Sequence, residues 1–65
     1  MKTLNDVLSE IKKKNPETLV SIETERYGVF WTGKVKFASS ALTFETGRKD
    51  VKSVEFRRFD VALTI

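Results

Sequence analysis

The sequence predicts a mainly β domain with one N-terminal helix, folded as a small, strongly bent, five-stranded antiparallel barrel. Three observations carry this reading. Helical periodicity is confined to the first fourteen residues, and fourteen of the seventeen Val, Ile and Thr residues lie from residue 18 onward. The two-residue alternation that follows carries a mid-strand glycine at Gly33 and changes parity at Arg57-Arg58, two places where a sheet would turn a corner.

The helix is expected over residues 3–14. Leu4, Val7, Leu8 and Ile11 recur at i, i+3, i+4 and i+7, one stripe of an amphipathic helix. Thr3 stands three residues before Asp6, a variant of the capping box. Lys12, Lys13 and Lys14 meet the negative helix end, and Asn15-Pro16 stops the helix because the residue before proline is pushed out of the helical region.

From Thr18 the period becomes two. The first strand is placed at 18–26, with Val20, Ile22 and Thr24 on one face, and Tyr27-Gly28 is the reversal. The second is placed at 29–37, with Val29, Trp31, Gly33, Val35 and Phe37 on one face and Phe30, Lys34 and Lys36 on the other. Ala38-Ser39-Ser40-Ala41 leads into a third strand at 41–46, and Gly47-Arg48-Lys49-Asp50 reads as a turn. Two strands, 51–57 and 59–65, complete the set. Val54 and Phe56 put the apolar face on even positions, whereas Phe59, Val61, Leu63 and Ile65 put it on odd ones. That change of parity requires a bulge or abrupt bend at Arg57-Arg58.

Composition narrows the chemistry. Sixty-five residues make one domain, 1–65, with a thin core, and a chain this short buries only about 60% of its unfolded surface. There is no Cys and no His, which excludes disulfides, Cys/His zinc sites, Ser-His-Asp triads and thiol nucleophiles. Glu23 and Glu25 could pair as acid and base only in a pocket that so short a chain rarely encloses. The three glycines stand apart and form no phosphate loop. No enzyme, cofactor or metal is therefore expected. The start lacks an apolar signal-peptide core and no membrane span occurs, so a soluble, cytoplasmic protein is expected.

Several short matches join these elements to a known family. Val20-Ser21-Ile22 opens the first strand, Gly28 and Gly33 flank the hairpin, Gly33-Lys34-Val35 follows a glycine–exposed–apolar pattern, and Phe56-Arg57-Arg58 forms an aromatic-basic-basic step. Laid along residues 4–63, this resembles the Sm-like family that includes Hfq. SH3-like barrels are the competing topology. The resemblance implies a homo-oligomeric ring that binds RNA. The chain departs from the family at Ser39 and Thr43, where Sm proteins carry acidic and asparagine residues, and its basic pair lacks a histidine, so the uridine pocket does not carry over.

Twelve Lys and Arg against nine Asp and Glu give a net charge of +3, compatible with an anionic partner. Phe30 among Lys34 and Lys36 could stack a base while the ammonium groups hold phosphate, and Tyr27 could also stack. Arg57 and Arg58 at the proposed corner could grip phosphate. Tyr27, Phe30, Lys34, Lys36, Arg57 and Arg58 are thus the candidate nucleic-acid contacts, for RNA or a single strand. The alternative is a protein-interaction module, such as a small phage or mobile-element inhibitor that docks a larger partner. Self-association is also expected, through the last strand or one bordering it.

Overall fold

The computed structural model describes residues 2–65. Its elements are α1 (Leu4–Lys14), β1 (Leu19–Thr24), β2 (Gly28–Lys34), α2 (Val35–Ala41), α3 (Phe44–Gly47), β3 (Ser53–Phe56) and β4 (Val61–Thr64). The strands form one open sheet in the order β2-β1-β4-β3. Pairing is antiparallel between β1 and β2 and between β3 and β4, but parallel between β1 and β4. Helices and sheet share one core, so the architecture is a two-layer α+β fold.

The N-terminal helix forms as its sequence dictates. Thr3 Oγ1 accepts the Asp6 N–H, and the Asp6 carboxylate accepts the Thr3 N–H, closing the capping box. Leu4, Val7 and Leu8 are buried, and Ile11 packs at the edge of the same cluster. After Asn15 an Asx turn, with Asn15 Oδ1 accepting the Glu17 N–H at 3.0 Å, delivers the chain to β1.

Beyond β1 the barrel expectation fails. Among the described residues the sheet has four strands and stays open, with β2 and β3 at its edges, and there are three helices rather than one. The strand expected at 29–37 stops at Lys34, and the one expected at 41–46 is replaced by the end of α2 and by α3. The physical reason lies in a second period hidden in the same residues. Val35, Ala38 and Leu42 are spaced i, i+3 and i+7, and as a helix they bury Val35 and Ala38 against the core with Leu42 beside them. The first turn of α2 has no side-chain cap. Its Val35 and Lys36 N–H groups are taken by the Thr18 and Pro16 carbonyls, at 2.8 and 3.2 Å. Those acceptors belong to the segment entering β1, so only the folded chain supplies them.

Gly33 marks no barrel corner. The Trp31 indole lies across it, and a Cβ built at Gly33 would fall 2.7 Å from Trp31 Cζ2. Gly28 has a different role, because its φ of 77° is the left-handed conformation that the β1–β2 turn requires.

Arg57-Arg58 does divide two strands, but as a hairpin turn and not as a bulge. The Arg57 N–H donates to the Asp60 carbonyl at 2.9 Å. Phe56 then pairs with Val61 and Val54 with Leu63, so an even position faces an odd one across the ladder. The change of parity is what a hairpin of this register demands.

The core lies between the helices and one sheet face: Leu4, Val7 and Leu8 from α1, Val20 and Ile22 from β1, Val35 and Ala38 from α2, Val61 and Leu63 from β4, and Ile65 beyond it. Because β4 sits between β1 and β3, the apolar C-terminal strand is satisfied within the chain on both sides.

Candidate partner-docking surface

The six residues singled out as nucleic-acid contacts do not form one surface. Tyr27 projects from the β1–β2 turn, and Lys34 stands at the other end of β2, about 20 Å away at roughly 3.3 Å per strand residue. Lys36 is carried by α2 and not by a strand. Phe30 is 53% exposed at the irregularity where β1 and β2 slip register. Arg57 and Arg58 follow β3, at the opposite edge of the sheet from β2.

Three of the cations are occupied. Lys34 and Lys36 converge on Glu17, with Nζ at 2.8 and 2.6 Å from its two carboxylate oxygens. The hydrogen bonds from Lys34 and then Lys36 hold the Glu17 carboxyl down to about 2. Arg57 donates from Nε and Nη2 to both oxygens of Asp60, each at 2.7 Å, and its Nη1 lies 3.4 Å from Glu23. That paired hydrogen bond raises the Arg57 guanidinium and lowers the Asp60 carboxyl from their ordinary values. Arg58 stacks on the neighbouring Phe59 ring, 5.4 Å from its centroid.

The sheet face away from the helices carries a connected polar network. Thr32 Oγ1 meets Ser21 Oγ at 3.3 Å, and Ser21 Oγ donates to Glu23 at 3.4 Å, from which the chain continues to Arg57 and Asp60. Ser21 and Ala62, side by side in the β1–β4 ladder, are almost fully buried although no element covers them. Glu55 shares this face through its pairing with Ala62, and its field acts on Arg57. Glu23, Glu55 and Asp60 therefore surround one arginine, and the local charge is negative. Glu25, the other half of the carboxylate pair considered for acid–base work, lies beyond β1 and bridges Lys52 at 3.5 Å.

The helix side of β3 is different. α1 covers β1 and β4 but leaves the outermost strand uncovered, so Val54 and Phe56 look into a groove of about 540 Å³ floored by Val7, Ile11 and Val61. Its rim holds Lys2, which is paired with Glu10, together with Lys14 and Thr18. Phe56 is 79% exposed there. The volume falls in the range of ligand clefts, but the polar groups stay at the rim and do not converge.

This groove was not foreseen from sequence. Val54 and Phe56 signal only an apolar strand face, and nothing local shows that α1 stops short of covering it. The apolar surplus is general: Tyr27 and all five phenylalanines are more than half exposed, and only Trp31 among the aromatics packs against the core. Among the described residues, no helix is long and apolar enough to cross a membrane. No protein-family model, curated protein or solved structure matches the chain.

Proposed function

We propose that this protein is a protein-interaction module that docks a larger protein through its exposed aromatic surface. The observation that carries this reading is the contrast between the exposed aromatic rings and the cations expected to contact nucleic acid. The large apolar rings face solvent, while Lys34, Lys36 and Arg57 are tied to carboxylates of the same chain. Aromatic residues are enriched at protein interfaces, where they bury large area at low entropic cost. A nucleic-acid site would instead need unpaired cations gathered along one track.

The test is to place a photo-reactive benzoylphenylalanine at Phe56, and separately at Phe44, in cells of the natural host. Discrete adducts that resist nuclease and exceed the mass of two copies of the chain support the reading. Adducts that collapse to the free chain on nuclease treatment would overturn it in favour of nucleic acid.

A further inference from the structure

We infer that β3 is an acceptor edge that binds an extended segment of a partner protein as a fifth strand. The segment's apolar side chains would enter the groove between α1 and β3, and a basic residue would lie opposite Glu55. The inference rests on the protein-interaction reading and specifies the partner's chemistry.

The backbone supports it first. Arg57 N–H bonds to Asp60 O across the hairpin, and antiparallel ladders alternate, so Glu55 and Ser53 also direct their backbone groups toward β4. Val54 and Phe56 then present their N–H and C=O groups outward, four backbone groups with no partner among the described residues, just beyond the point where Lys2 accepts the Val51 N–H. The opposite edge is less suited, because β2 is interrupted by the register slip opposite Ile22 and Glu23. Side chains on an added strand alternate in direction as those of β3 do. One set would meet Val54 and Phe56 over the groove, and the other would meet Glu55.

Charge decides what occupies the edge. The register that uses all four outward groups between two copies of this chain sets Val54 opposite Phe56 of the second copy, and places the two Glu55 carboxylates face to face. Like charges directly opposite destabilise a pair. Shifting the register so that Val54 faces its own copy relieves the clash but sets Phe56 opposite Lys52, whose N–H is already given to the Thr64 carbonyl. Glu55 has no ion-pair partner among the described residues, and its neighbours Glu23 and Asp60 share Arg57 between them. A cationic side chain on a different protein complements this face, and a second copy does not.

Random decapeptides displayed against the 65-residue chain, followed by amide mapping of the selected peptides in solution, test the inference. The expected winners alternate apolar residues with Lys or Arg, shift the Val54 and Phe56 amides, and slow their exchange. Val54→Pro removes an outward donor without touching the β4 ladder, and should weaken such a peptide at least tenfold while the circular dichroism stays unchanged. Glu55→Lys should weaken it by a similar factor, and a peptide with Glu in place of its basic residue should recover binding to that variant. This charge swap decides the matter even if the proline variant unfolds. Selected peptides that map to Phe44 or Phe59 and ignore both variants would overturn strand addition but leave the protein-interaction reading standing. Dimerisation of the free chain with Val54 and Phe56 amides protected would assign the edge to a second copy and overturn the inference. Failure to select any peptide, together with nuclease-sensitive adducts in cells, would remove both readings.

Discussion

Replacing Gly33 by alanine should change the sign of its effect according to what stands at position 31. A Cβ added to Gly33 would lie 2.7 Å from Trp31 Cζ2 and 2.8 Å from Cη2. Carbon atoms in contact settle near 3.5 Å, so the indole must retreat by roughly 0.8 Å or tilt away from the core edge. Overpacking of this kind costs about 1–3 kcal/mol. Against it stands the gain from removing a glycine inside a strand, about 0.5–1 kcal/mol, which is available because the φ at Gly33 is not positive. In the natural background Gly33→Ala should therefore destabilise by about 1 kcal/mol. In a Trp31→Ala background the obstruction is gone, and the same substitution should stabilise by about 0.5–1 kcal/mol. The coupling between the two positions is then on the order of 2 kcal/mol, well beyond ordinary non-additivity for separate sites. Urea unfolding followed by far-ultraviolet circular dichroism measures all four corners of the cycle without using tryptophan as the probe. Destabilisation by Gly33→Ala of equal size in both backgrounds would show that the glycine serves a backbone bend, and would refute the account of Trp31 seated upon it.

Leu63 is fully buried in a central strand, so Leu63→Ala should cost about 2–5 kcal/mol in the same urea assay. Phe44→Ser and Phe59→Ser, at 74% and 79% exposed positions, should stay within about 0.5 kcal/mol of the parent. Gly28→Ala forces a methyl group onto a φ of 77° and should destabilise by about 1–2 kcal/mol, again by urea. Glu17 ionises at about 2 in the folded chain, below the ordinary carboxylate value near 4.3 of the unfolded one. Its contribution is therefore complete above that ordinary value and is lost as the pH falls from about 4 to about 2. The acid limb of a melting-temperature profile should be shallower in Glu17→Gln, and the difference should shrink in high salt because the pair is solvent-exposed.

The parts of the fold that were legible in the sequence are those decided within a few residues. The α1 stripe, the Thr3–Asp6 cap and the stop at Asn15-Pro16 depend on neighbours one to four positions apart. The β1–β2 reversal at Gly28 and the division of the last segment at Arg57-Arg58 are equally local. Residues 35–42 are the contrary case. Val35 and Phe37 continue the alternation of β2, while Val35, Ala38 and Leu42 keep a helical period. So short an apolar run cannot decide between them by itself. The Thr18 and Pro16 carbonyls decide it, by capping a helix start seventeen or more residues away in sequence.

The candidate site shows the same boundary. The exposed alternation of Lys34 and Lys36 was visible in the chain, but Glu17, which pairs with both, belongs to a loop that only folding brings alongside. The sequence by itself determined the residues that can cap, turn and alternate, because those preferences act through covalent neighbours. Tertiary structure alone placed β4 between β1 and β3 and left β3 as an edge beside a helix too narrow to cover it. Strand order and coverage depend on which distant apolar faces meet. Many pairings satisfy the same two-residue alternation, and only the common burial of Val20, Ile22, Val61 and Leu63 under α1 selects one.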